Sequence, residues 1–117
     1  MDDFKLVSEC LKGNSKAQKA LFERFAPKMY AVCLRYMKRE EAAKDVLQDG
    51  MIKVFLKLGD FKNEGVLEGW IRRVMVNTCL DQLRKDLKFQ TDVQLGDVEY
   101  KLENKEFTVE TLMAEDL

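Results

Sequence analysis

The chain has 117 residues, of which 46% are apolar, 35% charged and 9% aromatic, and its formal net charge is −1. That is enough for one small domain with a packed core, and too apolar for wholesale disorder. Histidine is absent, which excludes serine–histidine and cysteine–histidine nucleophilic machinery and every histidine-ligated metal site.

The pattern predicts helix as far as about residue 88. There is one proline, and apolar residues recur at spacings of three and four with no strand-like alternation. A first helix is expected over Asp2–Lys12, stopped by the helix-ending pair Gly13-Asn14. Ser15 followed by Gln18 has the form of a capping box for a second helix running toward Phe25. Pro27 then either kinks that helix or opens a new one that reaches about Met37. A third helix is expected over Arg39–Leu58, ended by Gly59, and residues 59–65 form a loop with a glycine at each end. Leu67 to about Lys88 makes the fourth helix. From Phe89 the periodicity dissolves into an acidic, aperiodic stretch that reads as a linker or tail. The expected fold is all-α, a compact bundle of three to four helices followed by a poorly structured acidic tail.

Charge is unevenly distributed. Residues 1–88 hold 18 basic and 13 acidic side chains, whereas residues 89–117 hold 2 and 8. A basic body with an acidic tail points to a polyanionic partner for the body, although a solvated surface gives the same count. Cys10, Cys33 and Cys79 are odd in number, widely spaced and without a CxxC pair, as expected of free thiols packed as small apolar residues. No apolar run reaches the ~18 residues of a membrane span, and no basic-then-apolar leader opens the chain. A soluble, cytoplasmic protein without membrane insertion is expected.

Two helices carry information. On a wheel of ~100° per residue, Ala43, Leu47, Gly50, Met51, Val54, Phe55 and Leu58 of the third helix form a core stripe. Its other side carries Asp45, Gln48, Asp49 and Lys53, but also Ile52 and Leu56. Two aliphatics among carboxylates and an amide form either a docking patch for another protein or the seat of another helix of the same domain. In the fourth helix, Val76, Cys79, Leu80, Leu83 and Leu87 form the core stripe. Across from it stand Trp70, Arg73, Val74, Asn77, Asp81, Arg84, Lys85 and Lys88. Arginine and lysine neutralise phosphates, asparagine can read a base edge, and aromatics stack on unpaired bases. Phe61 and Lys62 of the preceding loop add an aromatic and a cation, so this is either a helix-loop-helix nucleic-acid surface or a solvated basic face with a buried Trp70.

The segments EEAAKDVLQDGMIKVFLKL (40–58) and FKNEGVLEGWIRRVMVNTCLDQLRK (61–85) resemble the second conserved domain of bacterial sigma factors of the extracytoplasmic-function type. In that family a D-x-x-Q-[DE]-x-[FM] helix, here Asp45, Gln48, Asp49 and Met51, precedes a W-x-x-R-x-x-x-N-x-x-x-D-x-x-R helix, here Trp70, Arg73, Asn77, Asp81 and Arg84. ALFERFAPKMYAVCLRYM (20–37) is similar to the preceding helix of the family, so the likeness spans roughly residues 4–88. It implies that Asp45, Gln48, Asp49, Ile52, Lys53 and Leu56 dock on the clamp helices of the large catalytic subunit of core RNA polymerase. It also implies that Phe61, Lys62, Asn63, Trp70, Arg73, Asn77, Asp81, Arg84 and Lys85 hold the melted non-template strand of the promoter minus-ten element. The family further implies an anti-sigma partner competing for the same surface, and a helix-turn-helix domain toward which residues 89–117 would lead. Arg72 and the loop Lys62-Asn63-Glu64 depart from the family pattern.

Catalysis is not expected, and no cofactor or metal is. Asp45 and Asp49 could chelate a cation, but no second acidic pair joins them, and neither GxGxxG nor GxxxxGK[ST] occurs. A module that binds polymerase or an anti-sigma factor without touching DNA is the alternative function.

Overall fold

A computed structural model of the protein describes residues 2–62 and 65–94, with side chains as far as 91. Four α-helices make up the described fold: α1 (Asp3–Leu11), α2 (Ser15–Met37), α3 (Glu40–Lys57) and α4 (Leu67–Gln94). A 3-10 turn, Leu58–Asp60, follows α3. The bundle is all-α, as its periodicity predicts. Asn63 and residues 95–117, which include most of the expected acidic tail, lie outside the described residues.

Caps set the helix limits. Asp2 caps α1, its Oδ1 accepting from the Lys5 N–H at 2.8 Å. The chain then reverses through Gly13 at φ +85°, a left-handed conformation that costs glycine nothing. The N-cap of α2 is Asn14, not the expected Ser15–Gln18 box. Its Oδ1 accepts from the Lys16 and Ala17 N–H groups at 3.0 and 3.2 Å, because Asn14 is the last residue in extended conformation and Ser15 is already helical. Gln18 turns away to donate to the Cys10 carbonyl at 3.2 Å, tying α2 to the end of α1. Pro27 lies inside one helix and opens no new one. Proline leaves the Glu23 carbonyl without its helical donor, and both residues are exposed, where water can serve instead.

α2 packs against α3 and α4, which also pack against each other, and α1 lies against α2. Leu21, Met29 and Cys33 of α2, Ala43 and Val54 of α3, and Leu67, Ile71, Met75 and Cys79 of α4 are completely buried. α3 and α4 approach closely at Gly50, where a Cβ would run into the Met75 thioether. That contact lets the Met75 side chain lie against the α3 backbone. Val46 is buried where Leu47 was expected to be, and Leu47 and Phe55 are half-buried. In α4 the deepest line is Leu67, Ile71, Met75 and Cys79, while Val76 and Leu80 are half-buried and Val74 packs on the core.

α4 also runs six residues past the expected Lys88. Leu87 is buried and Phe89 largely exposed. No glycine or proline interrupts residues 89–94, and helix propensity carries the chain on. The three cysteines are free and buried. The Cys33 and Cys79 sulfurs meet at 3.8 Å across the α2–α4 seam, and this contact together with burial pushes the Cys33 thiol well up. No described helix is long and apolar enough to cross a membrane.

Candidate functional site

The outward side of α3 is open. Asp45, Gln48 and Asp49 are exposed, Lys53 is half-buried, and Ile52 and Leu56 are 50% and 80% exposed. Among the described residues no helix covers those two aliphatics. Two apolar side chains exposed together among carboxylates lose surface to water until something covers them.

α4 presents a second open face. Arg73, Asn77, Asp81, Arg84, Lys85 and Lys88 are all exposed. Arg84 Nη1 pairs with Asp81 Oδ1 at 2.9 Å, a solvent-exposed i,i+3 bridge of little net worth that holds the guanidinium on the helix surface. Arg72, which departs from the family pattern, turns elsewhere. Its Nη2 lies 3.6 Å from Glu68 Oε2, while Lys28 Nζ of α2 donates to Glu68 Oε1 at 2.8 Å. The Lys28 hydrogen bond and charge, with Arg72 adding to them, hold the Glu68 carboxyl below the usual carboxylate range. This Lys28–Glu68–Arg72 clasp pins the first turn of α4 to α2. It has a sequence signal only in its i,i+4 half, Glu68 and Arg72.

The loop aromatic sits differently from its expected place. Phe61 is only 7% exposed and belongs to the core cluster, its ring 5.7 Å from that of half-buried Trp70 at a 50° tilt. It braces Trp70 from beneath and offers no free ring to a base. Lys62 is exposed at the start of the loop.

The two faces meet. A groove of about 310 Å³ between α3 and α4 has Asp49, Ile52 and Leu56 on one wall and Asp81 and Lys85 on the other. Thr78, buried at its floor, donates its hydroxyl to the Val74 carbonyl at 2.8 Å and so leaves no unsatisfied polar group there. Among the described residues no group of three His, Cys, Asp or Glu side chains could hold a metal ion. The arrangement suits binding: an acidic–aliphatic surface and a cationic, amide-bearing surface share one edge.

Residues 21–88 match the family model for sigma-70 region 2. The chain is 30% identical over 112 residues to the ECF RNA polymerase sigma factor SigM of Mycobacterium tuberculosis, covering 96% of this chain and 56% of that one. It is 27% identical over 100 residues to the RNA polymerase sigma-H factor of Pseudomonas aeruginosa, with 84% and 52% covered. To the ECF RNA polymerase sigma-E factor of Escherichia coli it is 30% identical over 83 residues, with 71% and 43% covered. The chain thus spans about half the length of these curated relatives.

Proposed function

For a chain that belongs to the sigma-70 region 2 family, in its extracytoplasmic-function form, we propose that it binds core RNA polymerase and recognises and melts the promoter minus-ten element to initiate transcription. α3 docks on the clamp helices of the large catalytic subunit through Asp45, Gln48, Asp49, Ile52, Lys53 and Leu56. α4 and the loop before it hold the non-template single strand. Arg73, Arg84 and Lys85 grip phosphates, and Asn77 reads a base edge with an amide that offers one acceptor and two donors. Trp70, braced by Phe61, closes one end of that surface, and Lys62 and Asn63 are the loop residues assigned to the base that is drawn out of the stack. The protein acts in the cytoplasm as a non-catalytic subunit, and an anti-sigma factor that covers α3 blocks it.

The observation that carries this reading is the shared groove, where Ile52 and Leu56 face Asp81 and Lys85. A partner seated on α3 reaches the edge of the DNA face, so polymerase and promoter are held against one small body. The test is retention of core RNA polymerase by the full chain. Leu56→Glu and Asp49→Lys place a charge, or reverse one, on an exposed position, and each should weaken binding about ten-fold or more at unchanged melting temperature. Unchanged retention by both variants rejects the assignment.

A further inference from the structure

We infer that the polymerase-docking surface is a composite of α2, α3 and α4, built to take an apolar side chain and a cationic one from adjacent positions of a partner helix. This rests on the reading that α3 docks on polymerase, and adds to it a socket that α3 alone does not make. Beside Ile52, α2 and α3 enclose a pocket of about 430 Å³ walled by Phe22, Leu47, Met51, Ile52 and Phe55. Phe22 reaches it from α2 and is 43% exposed, a large aromatic that the core cluster does not include. Filling such a pocket removes apolar surface of Phe22, Ile52 and the half-buried Leu47 and Phe55 from water together.

On the other flank of α3 lies a cleft of about 460 Å³ lined by Glu41, Asp45, Asp49 and, from α4, Asp86. Arg39 is the one cation lining it. Gln48 borders both the cleft and the pocket. The two cavities are therefore neighbours across a single side chain, an arrangement that two residues three or four apart on one helix face could address together. The occupant that fits is an amphipathic helix carrying a large aliphatic or aromatic residue one turn from an arginine or lysine. Nucleic acid is excluded, because four carboxylates repel its phosphates.

The full chain carrying Phe22→Ser, Phe22→Leu or Asp86→Lys is tested for affinity to core RNA polymerase beside Leu56→Glu, with melting temperature measured for each. Phe22→Ser should weaken binding about ten-fold, while Phe22→Leu, which refills the socket, should stay within about two-fold. Asp86→Lys should weaken binding at low salt, with the difference shrinking as salt is raised. If Phe22→Ser loses melting temperature, Phe22→Leu and Asp86→Lys decide. Parental affinity in Phe22→Ser and Asp86→Lys beside loss in Leu56→Glu overturns the composite surface and leaves α3 docking intact. Parental affinity in all of them removes the docking reading itself. A concentration-dependent dimer of the parent that Phe22→Ser dissolves assigns the socket to a second copy, and also overturns the inference.

Discussion

α3 and α4 pack against each other and against α2 with the same kinds of side chain, Ala43, Val54 and Met51 on one and Leu67, Ile71 and Met75 on the other, yet their outward faces share almost nothing. α3 exposes Ile52 and Leu56 among carboxylates, whereas α4 exposes arginines and lysines around Asn77. Aliphatic groups gain from being covered by another protein, and cations with an amide gain from phosphates and base edges. The interior decides where each face points, and the surface chemistry decides what it meets. Both faces therefore depend on one core while, in the function proposed above, they answer to different partners.

The largest effect should come from breaking what the two helices share. Ile71 is completely buried in the α4 line that meets α2 and α3. Ile71→Ala should cost about 2–5 kcal/mol, read from denaturant unfolding. That is a large part of the ~5–15 kcal/mol that holds a typical domain. Polymerase and promoter binding should fall together in proportion to the unfolded fraction. Loss of one with retention of the other would show that the faces do not hang on a common core.

A smaller and more selective effect separates the roles within α4. Asn77→Ala should cost roughly 1–3 kcal/mol on a cognate minus-ten strand, with little change in salt dependence. Arg84→Ala should weaken all sequences alike and flatten the slope of log affinity against log salt by about one unit. Equal loss by Asn77→Ala on cognate and scrambled strands would reduce α4 to an electrostatic clamp.

Much of this was legible in the sequence. Gly13-Asn14 marks a real helix end, whereas Gly59 lies inside the 3-10 turn Leu58–Asp60 that follows α3, and Ile52 and Leu56 stand out on a wheel as misplaced aliphatics that the described helices leave open. What stayed hidden is set by tertiary contact. α4 is apolar over a wide arc, and packing against α2 and α3 buries Ile71 and Met75 completely while Val76 and Leu80 stay half-buried. Phe61 reads as a loop aromatic until Trp70 is seen to cover it. The Phe22 socket exists only because α2 and α3 lie side by side, a juxtaposition with no local signature.

The smallest effect concerns the clasp at the start of α4, and its sign follows from Glu68. The Lys28 hydrogen bond depresses the folded carboxyl below its ordinary value. A depressed carboxyl contributes stability that is fully present above the unfolded pKa, near 4.3 for glutamate, and is lost as pH falls through the folded value. Glu68 is partly exposed, so solvent screens the interaction and the contribution is small. Glu68→Gln should therefore lower the melting temperature slightly at pH 7, and the gap from the parent should begin to narrow below the unfolded value of about 4.3 and close as pH falls through the lower folded value. A gap that persists unchanged to strongly acidic pH would mean that Glu68 acts by packing and not by charge. The same substitution releases Arg72 and removes one carboxylate from the first turn of α4. Nucleic-acid affinity should rise a little at low salt while polymerase affinity stays put, because the clasp is no part of the α3 face. A fall in both would break the comparison, for it would mean that the angle at which α2 holds α4 governs docking as well as promoter contact.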